Sequence, residues 1–84
     1  MLDHFQRYLQ ERVHIQKRYI PFYLKWIADC YNSLHQSLEK PISQDQKQEF
    51  LKHLSRKHEE WQVKQADYAL RLYSFFLARE PEPI

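Results

Sequence analysis

Five histidines and one cysteine are the residues of this chain best suited to hold a metal ion, and their spacing argues against that use. They stand at His4, His14, His35, His53, His58 and Cys30. A helix offers two imidazoles to one ion when they lie four apart, and no pair here does. His53 and His58 point in different directions, so all five read as surface or half-buried histidines. Nucleophilic chemistry has no better support. Cys30 falls on an apolar helical stripe between Trp26 and Leu34, where a thiol acts as a small hydrophobe and a thiolate is disfavoured. Ser33, Ser37, Ser55 and Ser74 have no local motif that activates a hydroxyl. Glu59 and Glu60 read as a solvated helix start rather than an acid–base pair. Catalytic residues, metal ligands and cofactors are therefore assigned to none of these positions.

Contact with nucleic acid is the chemistry that survives. Arg56, Lys57 and His58 are followed closely by Gln62, Lys64 and Gln65, a cationic and amide-rich patch at a loop and the first turn of a helix, where side chains and free N–H groups can meet phosphate. Lys17 and Arg18, with Lys25 one to two turns on, form a second cluster. The same residues would also serve as ordinary solvated faces, and Glu59 and Glu60 dilute the patch. Trp61 and Tyr68 fit either a base-stacking platform or core, and spacing leaves Trp61 open. Trp26, Phe50, Tyr73 and Phe76 are expected in the core.

The elements that must hold these residues are helical. The chain has 84 residues, 43% hydrophobic, 15% aromatic and 29% charged, and no glycine. That length allows one domain, which buries about 60% of the surface its unfolded chain exposes. Without glycine there is no Rossmann fingerprint, phosphate loop or type I′ hairpin turn. A net charge of +2 means that any nucleic-acid surface arises from placement rather than total charge. The single cysteine suits a reducing compartment. Nothing resembles a signal peptide or a membrane span, so the expected location is cytoplasmic.

Four helices follow from period and punctuation. The first covers about residues 3–13, with Phe5, Tyr8, Leu9 and Val13 on one stripe. The second covers about 16–35, where Tyr19, Phe22, Tyr23, Trp26, Ile27, Cys30 and Leu34, widened by Ile20, Leu24 and Tyr31, predict packing on two sides. Pro21 allows a start near Ile20, with proline in the first turn, or an earlier start with a bend. Ile15 and Tyr19 fit the stripe and favour the early start. Ser43-Gln44-Asp45-Gln46 is a capping box opening the third helix, whose buried stripe is Phe50, Leu51 and Leu54 and whose Lys47, Lys52, Arg56 and Lys57 point elsewhere. The fourth runs from Glu60 or Trp61 to Arg79, and Pro81-Glu82-Pro83-Ile84 reads as a linker.

Three runs carry a family resemblance. Tyr23-Leu24-Lys25-Trp26, then Glu49-Phe50-Leu51-Lys52-His53-Leu54, then Gln65-Ala66-Asp67-Tyr68-Ala69-Leu70 resemble the SAM-like N-terminal core-binding domain of phage-type tyrosine recombinases, especially integron integrases. That family carries Tyr-x-x-Trp, Phe-Leu-x-His-Leu and Thr-Gln-x-x-Ala-Leu at corresponding places. The resemblance spans about residues 5–80, and its motifs are mostly helix-packing residues. Aligning Ala69 and Leu70 with the family's Ala-Leu puts Gln65 at its threonine and Ala66 at its glutamine, a departure from the pattern.

The resemblance implies an all-α fold, a small orthogonal bundle of four helices arranged as two crossed hairpins, occupying residues 1–80 with 81–84 as the start of a linker. It implies half of a clamp on double-stranded DNA, with catalysis left to a C-terminal domain of the same parent chain and further recombinase protomers on the same DNA. The DNA-facing positions it implies are Lys17, Arg18 and Lys25 near the start of the second helix, then Gln62, Lys64 and Gln65 at the fourth, with Arg71 further on. Arg56 and Lys57 join them from the patch read above. Strand cleavage is not expected of this chain, and a helical protein-interaction module is the alternative, motivated by excess aromatic surface on the second and fourth helices.

Overall fold

A computed structural model describes residues 2–78. Its order is α1 (Asp3–Gln10), a 3-10 turn (Lys17–Tyr19), α2 (Ile20–Leu34), α3 (Gln44–Leu54) and α4 (Glu60–Ala78). The described residues hold no strand, and the fold is an all-α bundle of four helices. The expected linker at 81–84 and the Arg79 end of the fourth helix lie outside the described residues.

α1 is shorter than its stripe predicted. The chain turns after Gln10, with the Arg12 N–H donating to the Leu9 carbonyl at 3.1 Å and the Ile15 N–H to the Arg12 carbonyl at 3.2 Å. Phe5 and Leu9 are buried as expected, but Val13 is fully exposed, and the turn delivers Ile15 to the core in its place. The Arg12 guanidinium lies 3.8 Å from the centre of the Tyr8 ring, a cation–π contact across the turn.

α2 begins at Ile20 with Pro21 in its first turn, so the early start with a bend is incorrect. Proline fits there because a first-turn N–H has no helical acceptor to lose. Residues 17–19 form a tighter 3-10 turn leading into the helix. The wide apolar face packs against α1, α3 and α4 and buries Ile20, Tyr23, Trp26, Ile27, Cys30 and Tyr31. Phe22 departs from the expectation at 51% exposure. Successive residues are about 100° apart round a helix, which turns Phe22 away from the face set by Ile20, Tyr23 and Ile27.

The absence of glycine is felt once. His35 closes α2 in the left-handed region at φ 52°, with its N–H on the Asn32 carbonyl and the Gln36 N–H on the Tyr31 carbonyl, both at 3.2 Å. This is the Schellman pattern, which glycine usually completes. The α2–α3 connection is then tied down by tyrosines: Tyr31 donates to the Lys40 carbonyl at 2.7 Å, and Tyr73 of α4 donates to that of Leu38.

The capping box of α3 forms as expected. The Gln46 N–H donates to Ser43 Oγ at 3.1 Å, and the Ser43 N–H to Gln46 Oε1 at 2.8 Å. Phe50 and Leu51 are buried and Leu54 half-buried. α4 buries Ala66, Ala69, Leu70, Leu72 and Tyr73, its alanines leaving room for α2 to approach closely. Tyr73 meets Phe5 edge-on at 4.9 Å and Tyr31 at 5.5 Å, while Phe76, half-buried, closes on Phe5 at 5.4 Å.

Candidate nucleic-acid interface

Trp26 is the point where the predicted surface residues meet the core. Its ring is buried in α2, yet its indole N–H donates to Gln65 Oε1 of α4 at 2.9 Å. The His58 ring of the α3–α4 turn stands edge-on to it at 5.3 Å. The Lys25 ammonium lies 4.6 Å from its centre, a cation–π contact at the rim. One aromatic side chain thus fixes α2, α4 and the intervening turn relative to one another, and a buried indole has its donor satisfied.

Around this junction the nine expected contact residues separate into groups. Lys25 and Gln65 are brought together at the Trp26 ring. Lys64, beside Gln65, is exposed. Arg56 and Lys57 precede His58 and line a groove that reaches Leu34 at the far end of α2. Lys17 and Arg18 stand at the opposite end of α2, where Lys17 lines a recess with Gln6 and Gln10 of α1. Arg18 is steadied locally, its Nε donating to Gln16 Oε1 at 3.0 Å and its guanidinium centre 5.1 Å from the Tyr19 ring.

The cations differ in their freedom. Lys25 pairs with Asp29 at 3.4 Å and Arg71 with Asp67 at 3.6 Å, each one helical turn away. Among the described residues no carboxylate pairs with Lys17, Arg18, Arg56, Lys57 or Lys64. Exposed pairs of the first kind are worth about 0–1 kcal/mol, yet they leave Lys25 and Arg71 less available to a phosphate than the other five. Lys47 behaves otherwise. It was expected to point away, but its ammonium meets Asp67 of α4 at 3.0 Å and its side chain is 13% exposed, because α3 packs that face against α4. It is a structural cation, and its place three and four residues before Phe50 and Leu51 puts it on the buried face of α3.

Gln62 has a role that its type alone does not reveal. Its Oε1 accepts the Glu59 N–H at 2.9 Å, the second half of a capping box across the start of α4. Its amide NH₂, and that of Gln65, are the groups left to donate outward. Trp61, left open by spacing, is 63% exposed, whereas Tyr68 is half-buried with its ring 5.9 Å from that of Tyr23.

The remaining reactive groups are inward. Burial pushes the Cys30 thiol up to about 11, so it stays protonated at neutral pH. Tyr31 and Tyr73 are raised first by burial, then by Tyr73 and Cys30 for the former and by Glu39 for the latter. Tyr23 is raised first by burial, then by Tyr68 and Tyr19. The described residues contain no cluster of three metal-ligating side chains and no helix long and apolar enough to cross a membrane. No protein-family model matches the chain, and comparison with curated proteins and with solved structures finds no match either.

Proposed function

We propose that the chain is a duplex-DNA-gripping module, the N-terminal and non-catalytic half of a clamp of the kind used by tyrosine recombinases. The observation that carries this reading is the Trp26 junction. Its hydrogen bond joins Tyr23-x-x-Trp26 to the Gln65 run, two of the three runs that resemble the family, and holds Lys25 beside the first turns of α4. Lys17, Arg18, Arg56, Lys57 and Lys64 have no carboxylate partner among the described residues, and in this role they neutralise phosphates, while the outward amide of Gln62 or Gln65 reaches a phosphate or a base edge. Cleavage and rejoining then belong to a C-terminal catalytic domain and to other protomers on the same duplex. A protonated lone thiol suits the reducing cytoplasm in which such a module works.

Each neutralised phosphate lowers log K by about 0.9 per unit of log salt, so five free cations limit the slope to about −4.5. Fluorescence anisotropy of a labelled 20-base-pair duplex across a salt series tests the reading. Binding weaker than about 10⁻⁶ M at physiological salt, tightening as salt falls with a slope between about −2 and −4.5, is expected. No binding at low salt, or binding indifferent to salt, would reject it. A helical protein-interaction module is the second reading, favoured by the exposure of Phe22 and Trp61 at 51% and 63%; self-association without duplex binding is its signature.

A further inference from the structure

We propose that the groove between α2 and α3 docks an acidic amphipathic segment of a partner protein, its apolar side chains against the groove lining and its carboxylates on the lip. The groove is open, about 510 Å³ in volume, and lined by Leu34 of α2, Phe50 and Leu54 of α3, and Arg56, Lys57 and His58 of the following turn. That volume lies within the range of about 300–1,000 Å³ that accepts a few side chains, and the open form suits a chain laid along it.

Charge selects the occupant. Arg56 and Lys57 supply two positive charges at the lip, and no carboxylate among the described residues neutralises either. Glu49 is the only carboxylate among the described lining residues, and His53 holds it at 3.2 Å. Arg56 and Lys57 outnumber that one carboxylate, so a basic segment would meet net repulsion there, and an acidic one would be steered in. The apolar lining distinguishes a peptide from DNA, because a phosphate backbone gains nothing from covering the half-buried Leu34 and Leu54, whereas apolar anchors at i, i+3 or i+4, and i+7 of a helix do. The site shares Arg56 and Lys57 with the DNA reading, so a segment seated there and a duplex compete for those two cations, and a peptide titration without nucleic acid tests the groove by itself.

The test uses the full chain and labelled synthetic 16-residue helices with Leu and Phe anchors at that spacing and either Glu or Lys elsewhere. The Glu helix is expected to bind at least tenfold more tightly than the Lys helix. Arg56→Glu combined with Lys57→Glu, both exposed and checked for native helicity by circular dichroism, should weaken the Glu helix at least tenfold. Equal binding of the two helices overturns the proposal, as does undiminished binding of a Glu helix whose anchors are replaced by Ser. Loss of duplex binding in the double variant with no change in Glu-helix affinity assigns those cations to DNA and overturns it too.

Discussion

On one side of the contact between α2 and α4, Tyr31 and Tyr73 meet edge-on at 5.5 Å and Phe5 and Phe76 close round Tyr73. On the other, Trp26 meets Gln65 and His58, with Lys25 at its edge. Both sides use a large aromatic ring where two helices touch. The first surrounds it with further rings and sends the Tyr31 and Tyr73 hydroxyls to backbone carbonyls of the α2–α3 connection, so both are spent on the fold. The second gives the ring polar and cationic neighbours whose outer atoms remain in solvent. Identical packing chemistry thus does two jobs, closing the core in one place and aiming a surface in the other, and substitutions should separate stability from binding accordingly.

Phe5→Ala should have the largest effect. Phe5 is 1% exposed, and losing such a ring costs about 3–5 kcal/mol, a large share of the stability of a small domain. Urea unfolding measures the cost, and the fraction that remains folded should bind duplex as before. Alkaline pH comes next and acts on the same side. The Cys30 thiol is raised from 9.0 to about 11 in the folded chain, so from about pH 9 the unfolded chain sheds a proton that the folded chain keeps. Stability should hold below pH 9 and fall between about 9 and 11, with the Cys30 share on the order of 3 kcal/mol; thermal unfolding across that window checks the sign, and Cys30→Ala should move the onset from about pH 9 to about pH 10, where the buried tyrosines, raised from 10.0, take over.

Trp26→Phe is the smaller, opposite case. It keeps a ring but removes the donor to Gln65, at a cost of about 1 kcal/mol, while releasing Lys25, His58 and α4 from one another. Duplex affinity should fall several-fold, out of proportion to the lost stability. A loss of stability equal to that of Phe5→Ala, with binding intact, would erase the distinction between the two sides. The finest contrast is between two lysines. Lys64→Gln should leave the unfolding midpoint within about 0.5 kcal/mol and reduce the salt slope by about 1. Lys47→Gln should do the reverse, because its ammonium is committed to Asp67.

Much of this architecture was legible where cause and effect are close in the chain. Ser43 and Gln46 are three apart, and their capping box could be read directly. The width of the α2 stripe announced packing on more than one side, and Cys30 on that stripe announced an inert thiol. Errors arose where a local pattern was compatible with two geometries. Val13 continues the periodicity of Leu9, but the chain turns and buries Ile15 instead. Ile15 and Tyr19 extend the α2 stripe backwards, although the proline ring settles the helix start beside itself. At the candidate site, the cations were visible by type, whereas their grouping was not. The partner of Trp26 is 39 residues away, and Lys47 finds Asp67 only once α3 and α4 have packed. One local signal was there to be used: Glu59 and Gln62 have the spacing of a capping box, which commits the Gln62 carbonyl oxygen to the start of α4.

The most direct test of the DNA-gripping role is a titration of unlabelled duplex into ¹⁵N-labelled chain at low salt, followed by two-dimensional NMR. The account predicts that amide shifts concentrate in residues 17–25 and 56–71 and include the Trp26 indole N–H, while Phe5, Tyr31, Tyr73 and their neighbours stay unmoved. Shifts confined to the aromatic side, or none at saturating duplex, would contradict it.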